Sequence, residues 1–351
     1  MAAGIAACTR LFGQPWPDPV SVVLPGGQTP SFGLEMRESG DGWARAAVRK
    51  DAGDDPDVTH QALIITRVSL ARPGSGLTFQ AGDGVGTVTR PGLPLPVGEP
   101  AINPAPRRMI SEALSWIANA HGRPCDLCVE ISIPGGRKLA SQTWNARLGI
   151  LGGLSILGTT GIVKPYSCSA WIASVHMGVD VARANGLEHV VGSTGSVSEA
   201  TAQRLYLLPD HAMLDMGDFA GGLLKYLRRH PVPRLTIAGG IGKLTKLAQG
   251  ASDLHSSRSQ VDFPALAALA AESGRAGPEL ARSITAANTA RMVLDLAGPE
   301  LADAVARRAR IAVQAMLREA PIEVEIMIID RDGTMIVRHS RVPFPPLRVG
   351  T

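Results

Sequence analysis

The sequence predicts a mixed α/β protein, with an α+β first domain built on a β-meander and an α/β second domain with a mainly parallel sheet. Two patterns support this fold class. Residues 20–68 hold short apolar runs separated by Gly and Pro turns, which is typical of β-hairpins. From residue 167 onward, short apolar runs alternate with helical patterns and are followed by Gly-rich turns, which favours parallel strands joined by helices.

Length and composition favour a two-domain globular protein. The chain has 351 residues, with 45% hydrophobic and 19% charged residues, and single cores stop growing near about 250–300 residues. The net charge is +4 and the bases are scattered, so no nucleic-acid partner is expected. The four cysteines are too few for a disulfide framework, and no signal sequence or apolar run of about 18 residues is present. We therefore expect a soluble, cytoplasmic protein without a membrane partner.

The first domain begins with an Ala-rich helix over residues 2–12, followed by strands at 20–24, 30–36, 43–48 and 63–68. A helix starts at Pro104 and ends near His121, and a strand covers 127–133. The loop 49–60 holds four aspartates and His60. It is either a solvated turn, since Asp, Gly and Pro form turns on backbone grounds alone, or a loop that handles a metal, a ribose or a proton.

Two motifs in this part of the chain resemble known dinucleotide, zinc or redox sites but lack residues that those sites need. The glycines at 82, 84 and 86 miss dinucleotide spacing, because Thr87 stands where the third glycine is needed. Cys125 and Cys128 have redox or zinc spacing, but no second pair or nearby histidine accompanies them. Residues 147–167 form an apolar run rich in glycine, which predicts a buried strand that feeds a binding turn at 158–161.

The second domain is predicted to contain a helix at 167–184 and strands at 189–191, 211–216 and 234–238. Ser196 and Glu199 are predicted to form a capping box, and Asp218 is predicted to cap the next helix. Three turns follow these strands and are expected to gather at one edge of the sheet, where open α/β sheets bind ligands. The turn at 239–242 lacks P-loop spacing, so ATP hydrolysis is not expected.

Helices are predicted from Pro264, Pro278 and Pro299, and a hairpin is predicted at 322–329 and 335–339. These patterns give three segments. An α+β domain covers 1–146 and is completed by the hairpin 321–340, an α/β domain with Gly-rich ligand turns covers 147–262, and helices cover 263–320.

Long loops between residues 48 and 259 resemble one family closely. They read VRKDAGDDPDVTH, GDGVGTVTRPGLPLPVGEPAINPAPRRMI, ISIPGG, RLGILGGLSILGTTGIVKPYS, GGIGKLTKLAQG and DLHSSRS. By these segments the sequence is similar to the cobalt-precorrin-5B C1-methyltransferases of cobalamin biosynthesis. The family usually has a Gly/Thr-rich segment before its first Ala-rich helix, whereas this chain begins inside that helix, so we expect a shortened amino end.

The resemblance implies S-adenosyl-L-methionine as methyl donor and a reduced cobalt corrinoid as acceptor, with no metal bound by the protein itself. We expect donor and acceptor to meet near residues 158–161, and homo-oligomerisation is left open. Two alternatives remain. One is a nucleotide-dependent or non-methylating small-molecule-binding α/β protein, and the other is an inactive, shortened corrinoid binder.

Candidate roles follow from residue type, because methyl transfer needs alignment and few titrating groups. The catalytic candidates are Asp51, Asp54, Asp55, Glu99 and His255. The donor-binding candidates are Gly158, Thr159, Thr160, Gly161, Gly192, Thr194, Gly239, Gly240 and Gly242. The acceptor is rich in carboxylates, and its candidate ligands are Arg90, Arg107, Arg108, Lys243, Lys246, Asp253 and Arg258.

Overall fold

The chain folds into two units, Met1–Ser167 and Cys168–Thr351, in a computed structural model that describes residues 1–158, 160–272 and 277–346. The observed boundary falls at the end of the Gly-rich stretch 147–167. The predicted boundary at residue 146 therefore differs from it, because this stretch makes close backbone contacts with other segments of the first unit.

The first unit is a sheet covered on one face by two helices. Its elements are α1 (Ala2–Leu11), β1 (Val20–Ser21), β2 (Ser31–Phe32), β3 (Met36–Gly40), β4 (Trp43–Arg49), β5 (Leu63–Leu70), β6 (Leu77–Ala81), β7 (Thr87–Val88), α2 (Pro104–Ala120), β8 (Leu127–Ser132), α3 (Gly136–Ala140) and β9 (Ile150–Leu151). The main sheet has the order β3-β4-β5-β8-β6, antiparallel except for β6 alongside β8. The predicted meander is present in β3, β4 and β5.

Alanines let α1 lie close to this sheet. Ala3, Ala6 and Ala7 are buried, and so are Ala44 and Ala46 of β4. Small side chains on both elements shorten the distance between helix and sheet, so α1 and α2 enclose one apolar core with β5 and β8. The strands predicted at 20–24 and 30–36 are reduced to the short pair β1 and β2, because prolines and glycines interrupt both runs.

The Gly-rich stretch 147–167 is not the buried strand that the sequence predicts. Among its described residues, only Ile150–Leu151 form a strand, β9, which pairs with β7. Beyond it, Leu154 N–H donates to Gly84 O at 2.9 Å and Gly86 N–H donates to Leu154 O at 2.8 Å. A methyl group on Gly153 would lie 2.2 Å from Gly84 O, and one on Gly84 would lie 1.9 Å from Ile133 O. These glycines therefore serve close backbone packing between three segments, which we call the glycine interlock.

The second unit is a sheet covered by helices on both faces. Its elements are α4 (Cys168–Ala184), β10 (His189–Ser193), α5 (Ser196–Tyr206), β11 (Met213–Asp215), α6 (Ala220–Leu227), β12 (Arg234–Gly239), α7 (Ile241–Ala248), α8 (Phe263–Glu272), α9 (Pro278–Thr285), α10 (Ala290–Ala297), α11 (Pro299–Leu317), β13 (Glu323–Ile329) and β14 (Met335–His339). The strand order is β11-β10-β12-β13-β14, and only β14 is antiparallel.

The carboxyl-terminal hairpin belongs to this second sheet, so the expectation that it completes the first domain is wrong. β13 pairs in parallel with β12 along its length. All but the first of its residues are buried, and all of these except Glu325 are apolar, which is typical of a strand covered on both faces. The helix predicted from Pro278 is divided into α9 and α10, because Thr289 caps a new helix by accepting a hydrogen bond from Met292 N–H.

Two predicted helix caps are wrong. The N-cap of α5 is Gly195, and Glu199 instead accepts a hydrogen bond from the buried Ser193 hydroxyl at 3.0 Å. The N-cap of α6 is Phe219, without a side-chain cap. In both places the acidic side chain bonds elsewhere in the unit, and in α6 a first-turn N–H group, that of Gly221, donates instead to Ser252 O at 2.7 Å.

Within the described ranges, no helix combines the length and the apolar character that crossing a membrane requires. In those same ranges, no three His, Cys, Asp or Glu side chains gather into a group that could hold a metal ion.

Candidate functional site

The topology of the second sheet creates a crevice between β10 and β12. The crossover from β10 leads to β11 on one side, whereas the crossover from β12 leads to β13 on the other side. Open α/β sheets bind ligands at such a switch point, outside the carboxyl ends of the strands. We call the turns that follow β10, β11, β12 and β13 the carboxyl edge.

The predicted donor residues of this unit divide between the carboxyl edge and the strands beneath it. Gly240 and Gly242 lie at the edge, where α7 begins. Gly192 and Gly239 are strand residues and are buried, because β10 and β12 extend further than predicted. A methyl group on Gly239 would lie 2.5 Å from Thr194 Oγ1, so this glycine lets the buried Thr194 close against β12.

Lys243 joins three turns of the carboxyl edge. Its Nζ donates to Thr194 O at 2.8 Å and lies 3.0 Å from Asp218 Oδ1. Asp218 O in turn accepts from Leu254 N–H at 2.8 Å, and Leu254 O accepts from the buried Lys246 Nζ at 2.7 Å. Both lysines predicted to bind the acceptor thus bond to groups of their own unit. These bonds hold the turns of the carboxyl edge in place around the crevice.

The loop 253–259 folds against the start of α4. Asp253 Oδ2 accepts from Arg258 at 2.6 Å, and Arg258 also contacts Cys168 Sγ at 3.6 Å. Burial raises the pKa of Asp253, but bonds from Arg258 and from His255 N–H outweigh it, so this pKa lies below its usual value. The Asp253 carboxylate raises the pKa of Arg258. Three predicted residues, Asp253, His255 and Arg258, are therefore brought together here.

Trp171 lies at the same edge and was missed by the sequence reasoning. Its indole Nε1 donates to Asp215 O at 2.9 Å, its ring lies beside Gly217, and it is 43% exposed. The signal that could have identified it is an aromatic residue in the first turn of a helix that directly follows a Gly-rich segment.

A cleft of about 220 Å³ opens at the carboxyl ends of β12 and β13. It is lined by Gly240, Ile241, Gly242, Thr289, Ala290, Arg291, Leu294, Ile329, Asp330, Arg331 and Ile336. Arg291 bonds to Asp330 and, at 2.9 Å, to Asp295. Arg291 lies on α10, the second part of the helix predicted from Pro278, and Asp330 follows the hairpin strand that the prediction placed in the first domain.

In the first unit, the acidic loop is largely bonded within itself. Lys50 bonds to Asp57 and Thr59. Burial raises the pKa of Asp57, but these bonds outweigh it and hold the pKa below its ordinary value. His60 Nδ1 accepts from Ala52 N–H at 3.1 Å.

The predicted acidic residues of this loop differ in their surroundings. Asp51 and Asp54 are exposed, and Asp51 Oδ1 accepts from Gly53 N–H at 2.8 Å. Asp55 Oδ1 accepts from Tyr166 N–H at 3.1 Å. The acidic loop therefore contacts the end of the Gly-rich stretch, at a tyrosine that is 75% exposed and has a φ of 53°.

The turn at 158–161 is only partly described, because Thr159 lies outside the described residues. Gly158 is exposed, and Thr160 Oγ1 bonds locally to Ile162. A methyl group on Gly161 would lie 2.5 Å from Leu24 Cδ2, and its φ is 76°. Gly161 therefore serves a close contact with the β1 region.

The neighbouring arginines at the start of α2 have different surroundings. Arg107 donates to Ile102 O at 2.7 Å and Pro100 O at 3.0 Å, and it pairs with Glu99 at 2.9 Å. Arg108 is exposed and has no hydrogen bond or ion pair in the described part of the chain. Arg90 is half-buried, and its stem packs on Gly149.

Comparisons with known proteins match most of the chain. The family model described as CbiD matches residues 1–165, and the one described as CbiD, C-terminal domain matches residues 253–340. The cobalt-precorrin-5B C(1)-methyltransferase of Paramagnetospirillum magneticum is 57% identical over 336 residues, which cover 95% of this chain and 94% of that protein. The protein of the same name from Brucella anthropi is 57% identical over 340 residues, which cover 96% and 92%.

Among solved structures, the cobalamin biosynthesis protein CbiD from Archaeoglobus fulgidus is 24% identical. The match covers 73% of this chain and 80% of that one, with a TM-score of 0.37.

Proposed function

This chain belongs to the CbiD family, and from that membership we propose that it is a methyltransferase that methylates C1 of cobalt-precorrin-5B to give cobalt-precorrin-6A. The supporting observation is the 57% identity to cobalt-precorrin-5B C(1)-methyltransferases over about 95% of the chain. The proposed donor is S-adenosyl-L-methionine, and cobalt belongs to the substrate. The four free cysteines favour a reduced compartment such as the cytoplasm.

The reaction moves a methyl group from a sulfonium to a carbon. The S–CH3 bond breaks, a C–C bond forms at C1, and the donor leaves as the neutral thioether S-adenosylhomocysteine. The positive charge that the donor loses passes to the corrinoid and leaves it as a proton. Such an in-line displacement depends on alignment and on exclusion of water, and it needs no covalent nucleophile.

We propose the carboxyl edge of the second unit as the donor site. The switch point between β10 and β12 supports this assignment. So do the N-termini of α5 and α7, which have no side-chain caps and start beside Gly195 and Gly240. Their first-turn N–H groups are available to a carboxylate of the donor.

For the carboxylates of the acceptor, the favoured ligands are the basic groups that have no bond within the described chain. Arg108 is the strongest of these, and Arg90 is the second. Proton removal is assigned to an exposed acidic or imidazole side chain, with Asp51, Asp54 and His255 as the candidates.

A direct assay tests the activity. Purified protein is incubated with cobalt-precorrin-5B and methyl-labelled S-adenosyl-L-methionine, beside an active relative. We expect label in the corrinoid and formation of S-adenosylhomocysteine. If the relative transfers label to the corrinoid and this protein does not, the proposal is contradicted. Binding of corrinoid without turnover would identify an inactive binder, and a thermal shift with ATP but not with the donor would favour a nucleotide-dependent protein.

The two adjacent arginines provide a matched test of acceptor binding. Arg108→Ala should raise the KM for the corrinoid about tenfold or more, with the KM for the donor unchanged, because one charge-assisted bond is lost. Arg107→Ala should instead lower thermal stability, because Arg107 holds two carbonyl groups at the start of α2. Equal loss of donor and acceptor affinity in Arg108→Ala would contradict this role.

A further inference from the structure

We infer that the cleft between the carboxyl ends of β12 and β13 receives the adenosyl group of the methyl donor. This inference rests on the proposed function, and it commits one part of the donor to one part of the carboxyl edge. Its support comes from the size, the lining, the backbone and the charge of the cleft.

Size limits what the cleft can hold. Its volume is about 220 Å³, below the ~300–1,000 Å³ of typical small-molecule pockets. A corrinoid macrocycle is too large for such a space, whereas a nucleoside-sized group is of the right order. The lining is mainly apolar and includes Ile241, Leu294 and Ile329, and this is the environment that a flat purine ring favours.

The backbone at the start of α7 leaves one wall of the cleft open. A methyl group added at Gly242 would meet no atom within 4 Å, and one at Gly240 would meet only Ile329 O, at 3.9 Å. The space beside these glycines is therefore unfilled by the protein. Because Gly240 provides no side-chain cap, the first-turn N–H groups of α7 beside this space remain available to the carboxylate of the same donor.

Asp330 offers an acceptor for the ribose hydroxyls. Its Oδ1 accepts from Arg291 and from Arg331 N–H, whereas its Oδ2 has no hydrogen bond within the described residues. The bond from Arg291 lowers the pKa of Asp330, so the carboxylate stays ionised at neutral pH. An acidic side chain directly after a parallel strand is also the group that holds ribose hydroxyls in many dinucleotide-binding sheets.

The charge around the cleft suits a neutral adenosyl group. The charged side chains that line the cleft and its mouth are Arg291, Arg331, Asp330 and Asp332. Two cations against two anions leave no net charge, and the adenosyl group carries none that would need to be balanced.

The test fills the cleft without disturbing the fold. Gly242→Leu places a side chain in the open space, and Gly33→Leu is the matched control, since a methyl group at Gly33 also meets no atom within 4 Å. S-adenosylhomocysteine binding is measured by calorimetry on the full chain, with and without cobalt-precorrin-5B. We expect Gly242→Leu to weaken binding about tenfold or more, and Gly33→Leu to bind as the wild type does.

A second variant guards against a folding defect. Asp330→Asn keeps the size of the side chain and removes its charge, so it should also weaken S-adenosylhomocysteine binding, because an ionised acceptor for the ribose hydroxyls is lost. Wild-type affinity in both variants overturns the cleft assignment, and so does a wild-type protein that fails to bind S-adenosylhomocysteine with or without acceptor. Binding that Gly242→Leu removes, in a protein without methyl transfer, would support the cleft and refute the proposed function alone.

Discussion

At the scale of single residues, the basic side chains of the predicted sites bond mainly to backbone carbonyl groups of their own unit. Arg107, Lys243 and Lys246 all do so. The sequence cannot separate a cation that binds a ligand from one that holds a loop, because both need the same residue type near the same turns. Arg108 and Arg258 remain exposed, and exposure becomes known only when the chain is folded.

The buried His189 gives a prediction about pH. Burial, with a smaller contribution from Arg234, lowers its pKa from 6.5 to about 4. The unfolded chain therefore binds a proton between these pH values that the folded chain does not. Stability from this group is complete above pH 6.5 and is lost as the pH falls towards 4, by roughly 3 kcal/mol in total.

The measurement is the free energy of unfolding by urea between pH 7 and pH 4. His189→Gln keeps a partner for Thr236, which His189 Nε2 contacts at 2.9 Å, and it should show a shallower loss than the wild type. Glu325 acts in the opposite direction, because burial raises its pKa, so only the difference between the two proteins reports His189. A Gln variant of the exposed His121 serves as control and should lose stability as the wild type does. If the free energy of unfolding falls with pH equally steeply in wild type and His189→Gln, the prediction is contradicted.

At the scale of elements, the glycine interlock connects the segments around Gly84, Gly136 and Gly153. A methyl group on Gly136 would lie 2.3 Å from Gly84 O. The carbonyl group of Gly84 is therefore in close contact with the backbone of both Gly136 and Gly153. These glycines stand in the segments that carry the family resemblance. Their role is packing in the first unit, whereas the sequence pattern predicted a buried strand around Gly153 that leads to a ligand turn at 158–161.

Gly153→Ala should destabilise the first unit by about 3 kcal/mol or more, because the clash is with a backbone carbonyl that cannot rotate away. Gly158→Ala is the control, since a methyl group there meets no atom within 4 Å, and it should leave stability within about 0.5 kcal/mol. Urea unfolding of both variants checks this. A Gly153→Ala protein as stable as the control would show that the interlock relaxes.

Strands with their own local pattern were predictable, and elements that depend on distant partners were not. β4, β5 and β8 are marked in the sequence by short runs rich in apolar residues, and their predicted positions are confirmed. The place of β13 depends on pairing with β12, and that of β6 on pairing with β8. The same limit applies to the candidate site. The turns after β10 and β12 were predicted to share one edge, but Trp171 and Asp330 reach it only through tertiary packing.

At the scale of the whole molecule, each unit has a sheet and a buried core of its own. Two cores in one chain favour unfolding in more than one step. The tryptophans allow the two units to be followed separately. Trp16, Trp43, Trp116 and Trp144 lie in the first unit, and Trp171 lies in the second. In a Trp171→Phe variant, intrinsic fluorescence therefore reports the first unit alone.

Because the proposed donor site lies wholly within the second unit, S-adenosylhomocysteine should stabilise that unit alone. At about 100 times its Kd, a ligand adds about 2.7 kcal/mol. A unit of this size gains about 2–4 °C for each kcal/mol, so its Tm should rise by roughly 5–10 °C. Hydrogen exchange of peptides from β10, β12 and β13 during heating measures this rise, and fluorescence of Trp171→Phe should show no shift for the first unit. A shift confined to the first unit would contradict the donor site, because a ligand stabilises the unit whose folded form it binds.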